Sequence, residues 1–240
     1  MLFINGGMPR SGTVLVGLIL RKIFEAQKLS FTSLNLHGNA LDAFLENYAS
    51  SRSFELQNYI VHTHTWSTKF FDNPNKFHIF WNYREPRDVV VSVMRLHDMP
   101  FNESLRFVIG SINDGGLMLN KQRVLVPYEL LASFNVAYIQ MISNIVGCPL
   151  NPSECETIAR SVSVEAVEKK VSRVVAGAEG VREVKNRRRI LLEDSETFLN
   201  DRHVQSGSYK RYINELSAQQ AAEATKALLP FLNKYGYPEQ

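Results

Sequence analysis

Apolar positions change their period repeatedly along the chain, and each change marks an element. Leu2-Phe3-Ile4 is a short apolar run that reads as a strand. It gives way to Asn5-Gly6-Gly7-Met8-Pro9-Arg10-Ser11-Gly12-Thr13-Val14, after which Leu15, Leu18, Ile19 and Ile23 recur at helical spacing. Residues 32–39 predict a second strand and a loop. Leu41, Phe44, Leu45 and Tyr48 predict a short amphipathic helix, and residues 50–53 a polar break. Tyr59-Ile60-Val61-His62-Thr63-His64 reads as a strand that ends in polar residues. Phe77–Tyr83 is continuously apolar, as expected of a strand covered on both faces. Pro86 suits a first helical turn, where its missing N–H costs nothing, and Val89, Val90, Val93 and Met94 form the face of that helix.

Residues 101–120 predict a helix weakened near its end by Gly115-Gly116, and residues 123–128 a short strand. A helix is expected from there to about Val146, stopping at Gly147. Asn151-Pro152-Ser153-Glu154 offers a cap, a first-turn proline and an acidic third position, with helix to about Val175. Residues 177–189, glycine-spotted and then basic through Lys185-Asn186-Arg187-Arg188-Arg189, read as a mobile surface loop. Ser217-Ala218-Gln219-Gln220 predicts a capping box ahead of a helix with Ala224, Leu228, Phe231 and Leu232 on one side. This alternation predicts an α/β fold: a P-loop-type, mainly parallel sheet flanked by helices on both faces, with residues 1–240 as one domain.

Composition narrows the function. A chain of 240 residues, 45% hydrophobic and 21% charged, is long enough for a well-buried core. A net charge of +3 is too small to argue for nucleic acid but suits an anionic small ligand. Cys148 and Cys155 lack metal-ligand spacing, which points to a reduced, cytoplasmic setting. No charged-then-apolar leader opens the chain. The uncharged run beginning at Leu130 is broken by Ser133, Asn135, Gln140, Ser143 and Asn144, so no membrane span is expected.

The chemistry concentrates at strand ends. Gly7 and Gly12 stand as in the phosphate-cradling loop G-x-x-x-x-G-K-[ST], where glycines let backbone N–H groups turn toward an anion at a helix start. Thr13 occupies the place of the lysine, and the cation is Arg10, inside the loop. Such a loop holds one phosphate well but is poorly equipped to clamp a γ-phosphate. Arg84 leaves a second strand, with Ser92 two turns into the following helix, and both can donate to phosphate. Two anion sites at neighbouring strand–helix junctions suit a ligand with phosphate at two ends. Between them His64 is a candidate general base.

These residues resemble the sulfotransferase family that uses 3'-phosphoadenylyl sulfate (PAPS). Pro9-Arg10-Ser11-Gly12-Thr13 is similar to the family's 5'-phosphosulfate loop, and Arg84-Glu85-Pro86-Arg87-Asp88-Val89-Val90-Val91-Ser92 to its 3'-phosphate motif. Ile60-Val61-His62-Thr63-His64 resembles the strand ending in the catalytic histidine, Tyr128-Glu129 the pair whose tyrosine lies near adenine, and residues 202–210 the segment that closes over the 3'-phosphate. The chain departs from the pattern at Arg10, in place of the commoner lysine; at Val14, in place of a hydroxyl residue; and at His62, in place of a lysine. The resemblance implies transfer of a sulfonate group from PAPS to a hydroxyl or amine, leaving adenosine 3',5'-bisphosphate (PAP), with no metal. His64 is then the base, His62 the fallback base, and Arg10 the cation on the transferred group. Nucleotide contacts fall to Arg10, Ser11, Gly12, Thr13, Val14, Arg84, Ser92, Tyr128, Arg202 and His203. The acceptor pocket is expected from residues 35–48, 66–71 and 94–107, where Trp66, Phe70 and Phe71 suggest an apolar or aromatic alcohol. Two alternatives stay open: a phosphotransferase or nucleotide kinase on the same loop, and a non-catalytic adenosine bisphosphate-binding module.

Overall fold

The computed structural model describes residues 1–51, 54, 56–65, 67–72, 77–116, 123–133, 136–186, 189–202 and 210–239. Five parallel strands build the main sheet: β1 (Leu2–Gly7), β2 (Thr32–Asn35), β3 (Tyr59–Thr63), β4 (Phe77–Tyr83) and β5 (Arg123–Pro127), in the order β2-β3-β1-β4-β5. Parallel neighbours need crossovers, and helices supply them on both faces. Alternate side chains sort the strands between two cores. Phe3, Ile60, Phe80 and Val126 pack beneath α1 (Thr13–Ala26), while Leu2, Ile4, Val61 and Ile79 pack against α2 (Asn39–Ser50) on the other face. A short helix, α3 (Lys69–Asp72), precedes β4. Trp81 meets α4 (Pro86–His97), which packs with α5 (Phe101–Gly116) and the C-terminal helix in a third apolar cluster.

The structure corrects three expectations. The helix expected up to Val146 is two, α6 (Tyr128–Ala132) and α7 (Val136–Ile145). The helix expected from residue 152 to 175 is also two, α8 (Pro152–Ser161) and α9 (Val164–Val175). Ser163 starts the second by accepting from Ala166 N–H. The expected basic loop is instead an antiparallel hairpin, β6 (Val181–Asn186) and β7 (Arg189–Asp194), whose Leu191 is buried. The chain ends with α10 (Tyr212–Glu215) and α11 (Ala218–Tyr235). The latter carries the expected capping box at Ser217 and Gln220 and buries Ala224, Leu228, Phe231 and Leu232. All five main strands run the same way, so their C-terminal ends share one edge, and the candidate residues collect there.

Candidate active site

The loop between β1 and α1 is shaped by two glycines. A side chain at Gly7 would come within 2.4 Å of the Asn82 carbonyl. Gly12 holds φ 94°, and a Cβ there would meet the Tyr128 ring at 2.9 Å. The Ser11 hydroxyl braces the turn. The residue is fully buried, and its hydroxyl lies 2.5 Å from the Met8 carbonyl and 2.9 Å from that of Asn82. No side chain caps the start of α1 and its first turn holds no acid, so its N–H groups and partial positive charge are left for an anion. The buried Thr13 hydroxyl has no partner among the described residues. Val14 forms part of the wall beside it.

Arg10 leaves this loop in a left-handed conformation, φ 65°, and crosses to the second junction. Its Nε donates to Ser92 Oγ at 2.9 Å and its Nη2 to the Arg202 carbonyl at 3.2 Å. Arg84, 6% exposed, lies over the Tyr128 ring at 4.3 Å and 3.5 Å from Asp88. Asp88 also accepts from Lys210 N–H at 2.9 Å and Tyr212 N–H at 3.0 Å, tying the start of α10 to the start of α4. Burial first, then the nearby positive charges of Arg84 and Arg211, pull the Arg10 pKa down to about 10. The side chain stays cationic at neutral pH, and crowded cations of this kind are relieved by an anion.

The two histidines at the end of β3 differ. His64, past the strand, is open to the cavity, and its Nδ1 stands 3.0 Å from the Gly7 carbonyl. A carbonyl only accepts, so Nδ1 carries the proton and Nε2 keeps a lone pair. The cavity walls still desolvate the ring, and this outweighs the Gly7 bond. With His37 and Arg10 nearby, the pKa falls to about 4, so the ring is neutral at pH 7. His62 is 5% exposed, and its ring meets Phe198 edge-on at 4.9 Å between centroids. Desolvation, then His64 and Arg21, lower its pKa to about 3.

These groups line one cavity of about 700 Å³, bordered by Arg10, Gly12, Thr13, Arg84, Ser92 and Tyr128 on one side and His62 and His64 on another. Asn35, His37, Leu96, His97 and Phe107 line it from the expected acceptor segments. Phe70 does not join them; it is a core residue against Phe77. Trp66 and the Phe71 side chain lie outside the described residues, as does His203. Arg202 reaches the loop through its carbonyl, while Arg211, which the sequence reading did not single out, lines the cavity together with Arg10, Arg84 and Lys185.

No model of a known protein family matches the chain, and no curated protein matches it in sequence. Solved structures do. A mouse sulfotransferase complexed with PAP superposes with a TM-score of 0.67 at 15% identity, covering 96% of this chain and 83% of that one. Retinol dehydratase with androsterone and inactive cofactor PAP gives 0.64 at 13% identity, covering 96% and 80%. The same enzyme with retinol and PAP gives 0.60 at 14%, with the same coverage.

The chain has the sulfotransferase fold.

Within the sulfotransferase fold, part of the second motif serves the frame. Arg87 is buried in a two-armed pair with Glu85, at 2.8 and 3.1 Å, and lies over the Tyr212 ring at 4.1 Å. It also donates to Thr225 at 3.0 Å and to the Glu239 carbonyl at 3.1 Å, so it fastens the C-terminus to α4. Glu129 accepts from Glu85 N–H and from the Tyr237 hydroxyl, each at 3.0 Å, joining α6 to the same corner. Among the described residues no helix of this sulfotransferase fold is long and apolar enough to cross a membrane.

Proposed function

We propose that this chain is a PAPS-dependent sulfotransferase acting on a hydroxyl, or less often an amine, of a small acceptor. The observation that carries the reading is the Arg10–Ser92 hydrogen bond at 2.9 Å, which makes two strand–helix junctions parts of one anion site. One nucleotide with phosphate at each end fits such an arrangement, and a nucleoside triphosphate fits it poorly. The α1 N-terminus, Arg10 and the unpartnered Thr13 hydroxyl receive the 5' end. Arg84 and Ser92 receive the 3'-phosphate, and Tyr128, beside Gly12, lies along the base. Val14 adds an apolar wall. His203, with the rest of residues 203–209, stays a proposed contact on resemblance alone.

His64 is the base, because its tautomer leaves Nε2 unprotonated on a ring that is open to the cavity. Nε2 takes the proton of the acceptor hydroxyl as that oxygen bonds to sulfur. The bond between sulfur and the bridging oxygen breaks, and its electron pair leaves with the 5'-phosphate of PAP. Arg10 and the loop N–H groups stabilise the charge that collects there. The androsterone and retinol complexes of retinol dehydratase, with the apolar lining from Leu15, Leu18, Leu96 and Phe107, support an acceptor with an apolar body.

The test is transfer of labelled sulfate from PAPS to a panel of phenols, alcohols and sugars, with His64→Ala as control. Transfer is expected with the native chain. In the variant, turnover should be lost while PAP affinity stays nearly intact. No transfer to any acceptor, with PAP still bound, would favour the binding-module reading.

A further inference from the structure

Among the described residues that line the cavity, Glu193 is the one acid. It stands on β7 of the hairpin and is only 9% exposed. Its Oε1 takes one hydrogen bond, from Arg182 Nη2 at 3.0 Å across the hairpin. Its Oε2 takes none among the described residues and keeps accessible surface. Burial pushes the carboxyl above its ordinary value, and the Arg182 pair draws it back. The same cavity wall is otherwise aliphatic here. Leu15 and Leu18 stand one turn apart on α1, and Val164 and Val167 one turn apart on α9. An acceptor oxygen held in such a wall without a donor is costly, and a donor brought by a ligand removes that cost.

The path of the chain shows which part of the ligand reaches this oxygen. Arg10 Nη2 donates to the Arg202 carbonyl at 3.2 Å, and Arg202 N–H donates to Asn200 Oδ1 at 3.0 Å. Asn200 also lines the cavity, and it is the antiparallel bridge partner of Glu193. The carboxylate thus belongs to the segment that leads away from the anion site. The side that takes the acceptor's proton is built from other elements: His64 past β3 and His37 past β2, their rings stacked 6.1 Å apart. A nucleotide anchored by its phosphates at Arg10 lays its flat base between the two aliphatic pairs, and an amine on that base meets Oε2.

We propose that Glu193 selects the base: its Oε2 accepts a hydrogen from the exocyclic 6-amine of adenine, so the β6–β7 hairpin separates 6-aminopurine nucleotides from those without the amine. This rests on the sulfotransferase reading above and adds to it the residue that reads the identity of the nucleotide. No bond is made or broken in the contact.

The probes are PAP and purine riboside 3',5'-bisphosphate, which carries hydrogen in place of the amine and is otherwise the same molecule. In calorimetric titrations of the full native chain PAP should bind about ten-fold tighter or more, as for one hydrogen bond to a charged acceptor. Glu193→Leu should bring PAP down to the level of the amine-free analogue and leave the analogue within about two-fold, which also shows that the pocket has kept its shape. Glu193→Gln, which retains an acceptor oxygen, should recover part of the preference. Equal losses for both nucleotides in Glu193→Leu would make the carboxylate a prop of the hairpin and refute the role. A higher KM for the sulfate acceptor in that variant, with the preference for PAP unchanged, would place the carboxylate on the acceptor and overturn the proposal. A native chain that binds both nucleotides equally, yet PAP more tightly than adenosine 5'-phosphate, would refute base selection and leave the sulfotransferase reading standing. If it binds neither, that reading falls and the role of Glu193 with it.

Discussion

Two glycines in two helices, given the same substitution, should respond with opposite signs. Gly17 lies in α1 against β3, and a Cβ built on it would stand 2.0 Å from His62 Cε1, 2.8 Å from Nε2 and 3.1 Å from Nδ1. Those three contacts are ring atoms of a side chain held on one edge by Asn5 and on its face by Phe198, so the ring has nowhere near to go. Gly110 lies in α5, exposed, with nothing within 4 Å of an added Cβ. Alanine favours a helix interior over glycine by about 0.8–1 kcal/mol, and Gly110→Ala should realise most of that as added stability. Gly17→Ala gains the same propensity but forces an overpacked contact costing about 1–3 kcal/mol. It also breaks the Asn5–His62 hydrogen bond, a further loss of about 1 kcal/mol. The two variants should therefore differ by about 2–4 kcal/mol, Gly17→Ala below the native chain and Gly110→Ala above it. Urea unfolding, with equal m-values as the check that the unfolding reaction is the same, measures this. If Gly17→Ala is as stable as Gly110→Ala, the His62 ring does not sit packed between α1, Asn5 and Phe198.

Other expectations follow from the same contacts. The folded pKa values of His62 and His64, about 3 and about 4, lie below the unfolded 6.5, so the unfolded chain binds protons first on acidification. Their contribution is complete above about pH 6.5 and is lost as pH falls toward those values. His62 alone should cost about 2 kcal/mol at pH 5, read by urea unfolding at pH 7.5 and pH 5, and a flat profile would contradict the burial of an uncharged ring. Arg87→Met strands the fully buried Glu85 carboxylate and should destabilise by about 3–5 kcal/mol, with Glu85→Gln in the same chain recovering part of the loss; a thermal midpoint within a degree of native would show that the pair bears no load. Ser92→Ala removes the hydroxyl that receives Arg10 and should weaken PAP by about 1 kcal/mol, near five-fold, in a calorimetric titration, with a loss of about 1 kcal/mol in unfolding as Arg10 Nε loses its acceptor.

The sheet was legible because its strands are short apolar runs punctuated by glycine, proline and polar ends, and because parallel strands buried on both faces need no alternation to announce themselves. The α1 and α11 faces were equally plain, each a helical stripe with a capping signal or a glycine loop before it. The β6–β7 hairpin was not. Val184 and Leu191 are cross-strand partners on one face, but they share it with Arg182 and Glu193, so no apolar alternation shows, and the basic residues nearby give the composition of a solvated turn. Ser163 carried the signal that divides α8 from α9, an N-cap serine, but it sat inside an apolar pattern that reads as continuous helix.

At the site, Arg10, Arg84, Ser92 and His64 are legible at strand ends, and Tyr128 and His62 through the family resemblance, and the fold brings all of them to one cavity. Spacing gave no warning that Ser11 would spend its hydroxyl on loop carbonyls, or that Arg87 and Glu129 would bind the frame rather than face the cavity. Each role includes a partner far along the chain, 71 residues away for Ser11, 108 for Glu129 and 152 for Arg87, which a local pattern does not contain. The Asn82–Asn5 hydrogen bond escaped notice for the same reason. Each is an ordinary polar residue in its own strand, and only strand pairing makes them neighbours.

The central claim is that one nucleotide is held by phosphate at both ends. Calorimetric titration of the native chain and of Arg84→Ala with PAP and with adenosine 5'-phosphate, which lacks the 3'-phosphate, tests it most directly. The native chain should prefer PAP strongly, and Arg84→Ala should lose about 2 kcal/mol or more of PAP affinity, about thirty-fold, with little change toward adenosine 5'-phosphate. Equal affinity of the native chain for the two nucleotides, or tighter binding of ATP with magnesium than of PAP, would contradict it.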